Sequence, residues 1–100
     1  MKRARLSDDE ITRRLAEIPG FRREGDKLHA DFKFASFVEA FAFMTNVAFV
    51  AEKLDHHPEW SNVYNRVHVD LTTHDSGGIT ELDFAFAARA LEIFRRHSPA

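Results

Sequence analysis

The sequence predicts an α+β domain with the element order α-β-β-α-β-β-α, a four-stranded antiparallel sheet with helices packed on one face. Three observations predict it. Two runs, Lys27 to Phe34 and Arg66 to Thr73, alternate apolar and polar side chains with the period of two that a half-buried strand requires. Each follows a short strand-like stretch and a tight-turn pair, Gly25-Asp26 and Tyr64-Asn65, and so completes a hairpin. Three hydroxyl residues stand three positions ahead of an acidic one, and each such pair opens a helically periodic run.

Ser7 and Glu10 form the first of these capping boxes, and Ile11, Leu15 and Ile18 recur at helical spacing until Pro19-Gly20 ends the helix. Phe21 to Glu24 and Lys27 to Phe34 form the first hairpin, with Leu28, Ala30, Phe32 and Phe34 on its apolar face and Lys27, His29, Asp31 and Lys33 on the other. Ser36 and Glu39 open the central helix, whose stripe Phe37, Phe41, Met44, Ala48, Ala51 is assigned to the core. Val38, Phe43, Phe49 and Val50 add apolar surface off that stripe, so the helix is either sandwiched between elements or meets another subunit, and self-association is the preferred reading. The helix ends near Leu54, because Pro58 disfavours helical geometry at His57. Trp60 to Val63 pairs with Arg66 to Thr73 as the second hairpin, with Val67, Val69 and Leu71 inward. After the loop Asp75 to Gly78, Thr80 and Asp83 cap a last helix that runs to about Arg96, and Asp83 is read as its N3 capping carboxylate.

One hundred residues form a single domain, 1–100, and no linker or repeat divides them. Lys and Arg number 14 against 16 Asp and Glu, a formal charge of −2, which argues against nucleic acid as a direct partner. No stretch approaches the roughly 20 apolar residues of a membrane span, and the basic N-terminus lacks the apolar segment of a signal peptide, so a cytoplasmic protein is expected. The absence of cysteine removes thiol chemistry and Cys-based metal sites. Six histidines in 100 residues are the compositional anomaly, because His titrates near neutral pH.

Those histidines are unevenly placed. His56 and His57 sit between Asp55 and Pro58 at the end of the central helix, near Glu52, and His74 follows the second alternating strand. If one sheet carries both hairpins, the three approach one another. Such a set supports acid–base chemistry near pH 7 or a divalent metal site. Adjacent His56 and His57 diverge along the backbone and no metal-ligand spacing motif is present, so acid–base chemistry is preferred and no metal is expected. His29 and His68 on polar strand faces and His97 near the C-terminus are read as surface residues. Gly77-Gly78 is too little for a phosphate loop, and Ser36, Ser61 and Ser76 lack a nucleophile context.

Glu52-x-x-x-His56-His57-Pro58, Trp60, Tyr64, His74 and Asp83, with the surrounding text from Leu6 to Phe94, resemble the signature of the pterin-4a-carbinolamine dehydratases. Phe21 departs from it, since the family often has Trp there, as does the small-residue loop His74 to Gly78. The resemblance implies dehydration of 4a-hydroxytetrahydropterin to quinonoid dihydropterin, the recycling step after an aromatic amino acid hydroxylase, with no cofactor and no metal. It implies His56, His57 and His74 as acid–base and binding histidines. Asp55, Trp60, Thr72, Thr73 and Asp75 would line the pterin pocket, and Glu52 would orient the His pair. It further implies a homodimer or homotetramer. The alternative on the same scaffold is a non-catalytic interaction, assembly or transcriptional coactivator module.

Overall fold

The computed structural model describes residues 3–97. The elements are α1 (Asp8–Arg14, continued by a 3-10 turn Leu15–Glu17), β1 (Phe21–Glu24), β2 (Lys27–Lys33), α2 (Phe37–Leu54), β3 (Glu59–Val63), β4 (Arg66–Leu71) and α3 (Glu81–Phe94), with a 3-10 turn His74–Ser76 before α3. The four strands form one antiparallel sheet in the order β1-β2-β4-β3, so the second strand of each hairpin is central. Leu28, Ala30, Phe32, Val67, Val69 and Leu71 are buried on the face that carries the helices, as the alternation predicts. The last helix stops at Phe94, short of the predicted Arg96, and β4 ends at Leu71, with Thr73 kept near the sheet by an isolated bridge to Gly78.

The apolar stripe of α2 is not the one expected from the sequence. Ala40, Phe43, Val47, Val50 and Ala51 are the buried positions, whereas Phe37, Val38, Phe41 and Phe49 are exposed. Each residue advances about 100° around a helix, so positions 41 and 43 lie on nearly opposite sides. Phe43 wins the inward position because it meets an aromatic cluster, its ring centroid 4.9 Å from Phe32 and 5.0 Å from Phe34.

Ser36 also departs from expectation. Its hydroxyl accepts from the Glu39 amide at 3.2 Å, but the Glu39 carboxylate completes no capping box and instead meets His97 Nδ1 at 2.9 Å. His97 is therefore no loose surface residue; its ring stacks edge-on against Phe34 at 5.3 Å and ties the end of the chain to the start of α2. The boxes at Ser7 and Thr80 are complete.

The other face of the sheet is polar, and it corrects the reading of His29 as a surface residue, since its side chain is only 13% exposed, whereas His68 stays partly open to solvent but is paired. The strand register sets His29 opposite Asp70 and Asp31 opposite His68. His29 Nδ1 lies 2.8 Å from Asp70 and its Nε2 2.9 Å from Asp31, while His68 Nδ1 bonds the same Asp31 oxygen. The hydrogen bond from His68 is the main cause that holds the Asp31 carboxyl down at about 2, with partial burial opposing it and His29 adding to it. Burial works to lower His29, but hydrogen bonds to Asp70 and Asp31 outweigh it and raise this histidine above its ordinary 6.5.

Linkage then fixes the pH dependence of this cluster. A depressed carboxyl stabilises the fold above its unfolded value of 3.8, and that contribution is lost as pH falls toward about 2. A raised His stabilises below 6.5 and the contribution is lost as pH climbs through the folded value. In chelator-treated buffer, the melting-temperature difference between wild type and Asp31→Asn should therefore be largest between about pH 4 and 6.5 and shrink on both sides. A difference independent of pH would contradict this assignment.

Candidate active site

The end of α2 determines where the adjacent histidines go. Asp55 adopts the left-handed conformation, φ 50°, and the chain closes with a Schellman pair, His56 N–H to Ala51 O at 3.0 Å and Asp55 N–H to Glu52 O at 3.3 Å. Asp tolerates this conformation better than most side chains, which explains the residue type at the turn. Pro58 disfavours continued helical geometry at His57, and the two imidazoles part: His56 is buried and His57 is exposed.

His56 points inward to Asp83. Its Nε2 lies 2.5 Å from Oδ1 of this fully buried carboxylate. Asp83 Oδ2 accepts from the Thr80 amide at 2.9 Å and from the Thr73 hydroxyl at 2.9 Å. A carboxylate accepts only, so Nε2 of His56 carries the proton in this bond and Nδ1 is the nitrogen left for other work. Asp83 is thus more than the N3 cap expected from the sequence: one carboxylate joins the start of α3, the end of β4 and the turn after α2. The Thr80-x-x-Asp83 spacing signalled the cap, but nothing in the sequence signalled the partner 27 residues earlier.

Each of the other two histidines has its own carboxylate. His57 Nε2 lies 2.7 Å from Glu52 Oε2, one helical turn back on α2. His74 Nε2 lies 2.9 Å from Glu59 Oε2, and the other oxygen of Glu59 meets Lys27 Nζ at 2.6 Å. The hydrogen bond from Lys27 chiefly depresses the Glu59 carboxyl; burial opposes it, and the charge of Lys27 and then His74 add to the depression. Glu59 was missed by sequence reasoning; its position in Pro58-Glu59-Trp60, opposite Asp70, places it beside the loop that carries His74.

All three histidines line one open cleft of about 350 Å³, together with Asp55, Thr72, Thr73, Asp75 and Ser76. That volume lies within the range of small-ligand sites, about 300–1,000 Å³. Glu52 reaches the site through His57. Trp60 does not line the cleft; it packs half-buried against the core, and Leu82 supplies apolar wall in the cleft. Arg3, which sequence reasoning left out, borders the cleft as well, its carbonyl accepting from the Ser76 hydroxyl. Thr73 faces the cleft but spends its hydroxyl on Asp83 and Thr80. Thr72 donates to the Asp26 carbonyl at 2.8 Å.

Known proteins resemble the chain over nearly its whole length. A family model described as "Pterin 4 alpha carbinolamine dehydratase" matches residues 4–93. A protein of Rhizobium johnstonii named "Putative pterin-4-alpha-carbinolamine dehydratase" is 53% identical over 94 residues, 92% of each chain. One of the same name from Mesorhizobium japonicum is 51% identical over 96 residues, covering 94% of this chain and 98% of that one. Among solved structures, a transcriptional coactivator/pterin dehydratase from Brucella melitensis superimposes with a TM-score of 0.87 at 44% identity, over 89% of this chain and 97% of that one. A pterin dehydratase-like protein described as a RuBisCO assembly factor in the alpha-carboxysome gives a TM-score of 0.62 at 25% identity, over 74% of this chain and 86% of that one. A match across residues 4–93 and relatives above half identity make the assignment direct: the chain belongs to the pterin 4 alpha carbinolamine dehydratase family.

Proposed function

We propose that this chain dehydrates 4a-hydroxytetrahydropterin to quinonoid dihydropterin by acid–base catalysis, the step that recycles the pterin of an aromatic amino acid hydroxylase. One observation carries the reading: three histidines converge on one cleft and each is held by a separate carboxylate, Asp83, Glu52 or Glu59. The reaction needs an acid that protonates the 4a-hydroxyl and a base that takes the N5 proton. The C4a–O bond then breaks, water leaves, and a double bond forms between C4a and N5. His57 and His74, both exposed, are suited to exchange these protons: the one acting as acid starts as imidazolium and gives its proton to the hydroxyl, the one acting as base becomes imidazolium on taking the N5 proton, and the paired carboxylates stabilise the charged form of each. His56, fixed by Asp83, orients the ring, and Asp55, Thr72 and Asp75 offer polar groups to the amide edge of the heterocycle. The acid–base step itself calls for no metal and no cofactor.

Wild-type protein should accelerate loss of enzymatically generated 4a-hydroxytetrahydropterin above its spontaneous dehydration. A rate equal to the spontaneous one would sink the proposal. It would favour the second reading, a protein-interaction or assembly module, which the exposed apolar face of α2 and the descriptions of the two structural neighbours support.

The same face supports a homodimer or homotetramer. Val38, Phe41 and Phe49 are 74%, 56% and 70% exposed, a patch large for a small monomer to leave in water. Sedimentation should show a dimer or tetramer that Phe41→Glu and Phe49→Glu dissociate; a wild-type monomer at micromolar concentration would contradict it. No described helix is long and apolar enough to cross a membrane, and a cytoplasmic location, where a pterin-dependent hydroxylase would supply the substrate, is part of this proposal.

A further inference from the structure

The open face of the sheet carries a second histidine cluster that the dehydration does not use. His29 and Asp31 alternate on β2, His68 and Asp70 on β4, and the antiparallel register turns these pairs into a tile of two imidazoles and two carboxylates. His29 Nε2 and His68 Nδ1 both address Oδ1 of Asp31, and the three donor atoms lie within 4.8 Å of one another. Arg22 Nη1 takes the opposite oxygen, Oδ2, at 3.4 Å, which fixes the carboxylate plane and leaves Oδ1 to the histidines. Asp70 accepts from His29 Nδ1 at 2.8 Å. With a carboxylate on each ring nitrogen, His29 donates from both Nδ1 and Nε2 in the metal-free protein; a metal ion would replace the Nε2 proton at the Asp31 side while Asp70 keeps the Nδ1 hydrogen bond, the arrangement in which metal-binding histidines are held by an outer carboxylate. His29 is mostly buried, its side chain 13% exposed, so its ring is pre-oriented, while Asp31 and His68 remain open to solvent.

We propose that His29 Nε2, His68 Nδ1 and Asp31 Oδ1 form a binding site for a divalent transition-metal ion, zinc by ligand type, with Asp70 positioning His29. Two imidazoles and one carboxylate suit zinc better than magnesium or calcium, which take oxygen ligands. Tetrahedral ligands at about 2.0–2.2 Å from zinc stand roughly 3.3–3.6 Å apart, so the His29–Asp31 separation of 2.9 Å has to open by about half an ångström and the shorter His68–Asp31 contact by more. The fourth position faces solvent and is left to water. Glu24 offers a second arrangement with His29 and Asp70, but it holds one imidazole instead of two and lies 4.0 Å from His29 Nδ1.

Zinc chloride titrated into chelator-stripped full-length protein, followed by calorimetry and thermal melting, tests the site. The expected result is uptake of one zinc per chain with a rise in melting temperature. His68→Ala and Asp31→Asn should each abolish both, Asp70→Asn should weaken binding by about 10–100-fold, and His57→Ala should leave the stoichiometry intact. His68 and Asp31 are exposed, so these variants retain the fold, which circular dichroism checks; His29→Ala is the supporting variant. Absence of saturable uptake, half a zinc per chain, or uptake lost in His57→Ala and kept in His68→Ala would each overturn the proposal.

Discussion

Asp83→Ala should destabilise the protein by about 3–5 kcal/mol, the cost of leaving several buried donors without their acceptor at about 1–3 kcal/mol each. The substitution strips an acceptor from His56 Nε2, from the Thr80 amide and from the Thr73 hydroxyl, all buried. For a domain of this size that is a drop in Tm of at least about 12 °C, measurable by thermal denaturation. Asp83→Asn keeps the shape and one oxygen, so it should fold with a smaller loss. It turns one buried acceptor into a donor and removes the charge that holds His56, so it should lower kcat more than it raises KM. A cost below about 1 kcal/mol for Asp83→Ala would mean that the carboxylate is not the keystone described here.

Phe43→Ala should cost a further 3–5 kcal/mol by a different route, a cavity in the aromatic cluster of Phe32, Phe34 and Phe94 about 5–6 Å around it. Phe41→Ala, only two positions away but on the opposite side of α2, should cost little in the chain itself. Its effect should also depend on protein concentration, as expected of a residue buried only by association, whereas the Phe43 cost should not. Chemical denaturation of both variants at two concentrations distinguishes the faces. Equal costs would contradict the placement of α2.

The contrast between these phenylalanines shows where the sequence was legible. Strands have a period of two, so Leu28, Ala30 and Phe32 could face only one way, and the sheet and its order of elements followed from that alternation. A helix apolar on both sides offers two stripes of similar quality, and the choice between them lies in tertiary partners that sequence does not display. The same division runs through the site. His56, His57 and His74 stood out by type and position, and all three line the cleft. Their carboxylates were less visible: Glu52 was readable because it sits one turn back on the same helix, but Asp83 and Glu59 reach their histidines across the fold. Trp60, which the family resemblance put in the pocket, packs half-buried against the core and outside the cleft lining. His97 and Glu39, 58 positions apart, and the tile of His29, Asp31, His68 and Asp70 depend on register and chain return, which composition and spacing do not encode.

Whether the cleft histidines act together as an acid–base set is read most directly from the dehydration rate of His56→Ala, His57→Ala and His74→Ala beside wild type and the spontaneous reaction. His57→Ala and His74→Ala should each lower kcat by about 10²–10⁴-fold while melting like wild type, since both side chains are exposed. His56→Ala should lose both activity and stability, because it leaves Asp83 buried without its partner. If His57→Ala and His74→Ala both retain wild-type turnover above the spontaneous rate, the cleft is not the catalytic site and the account is wrong.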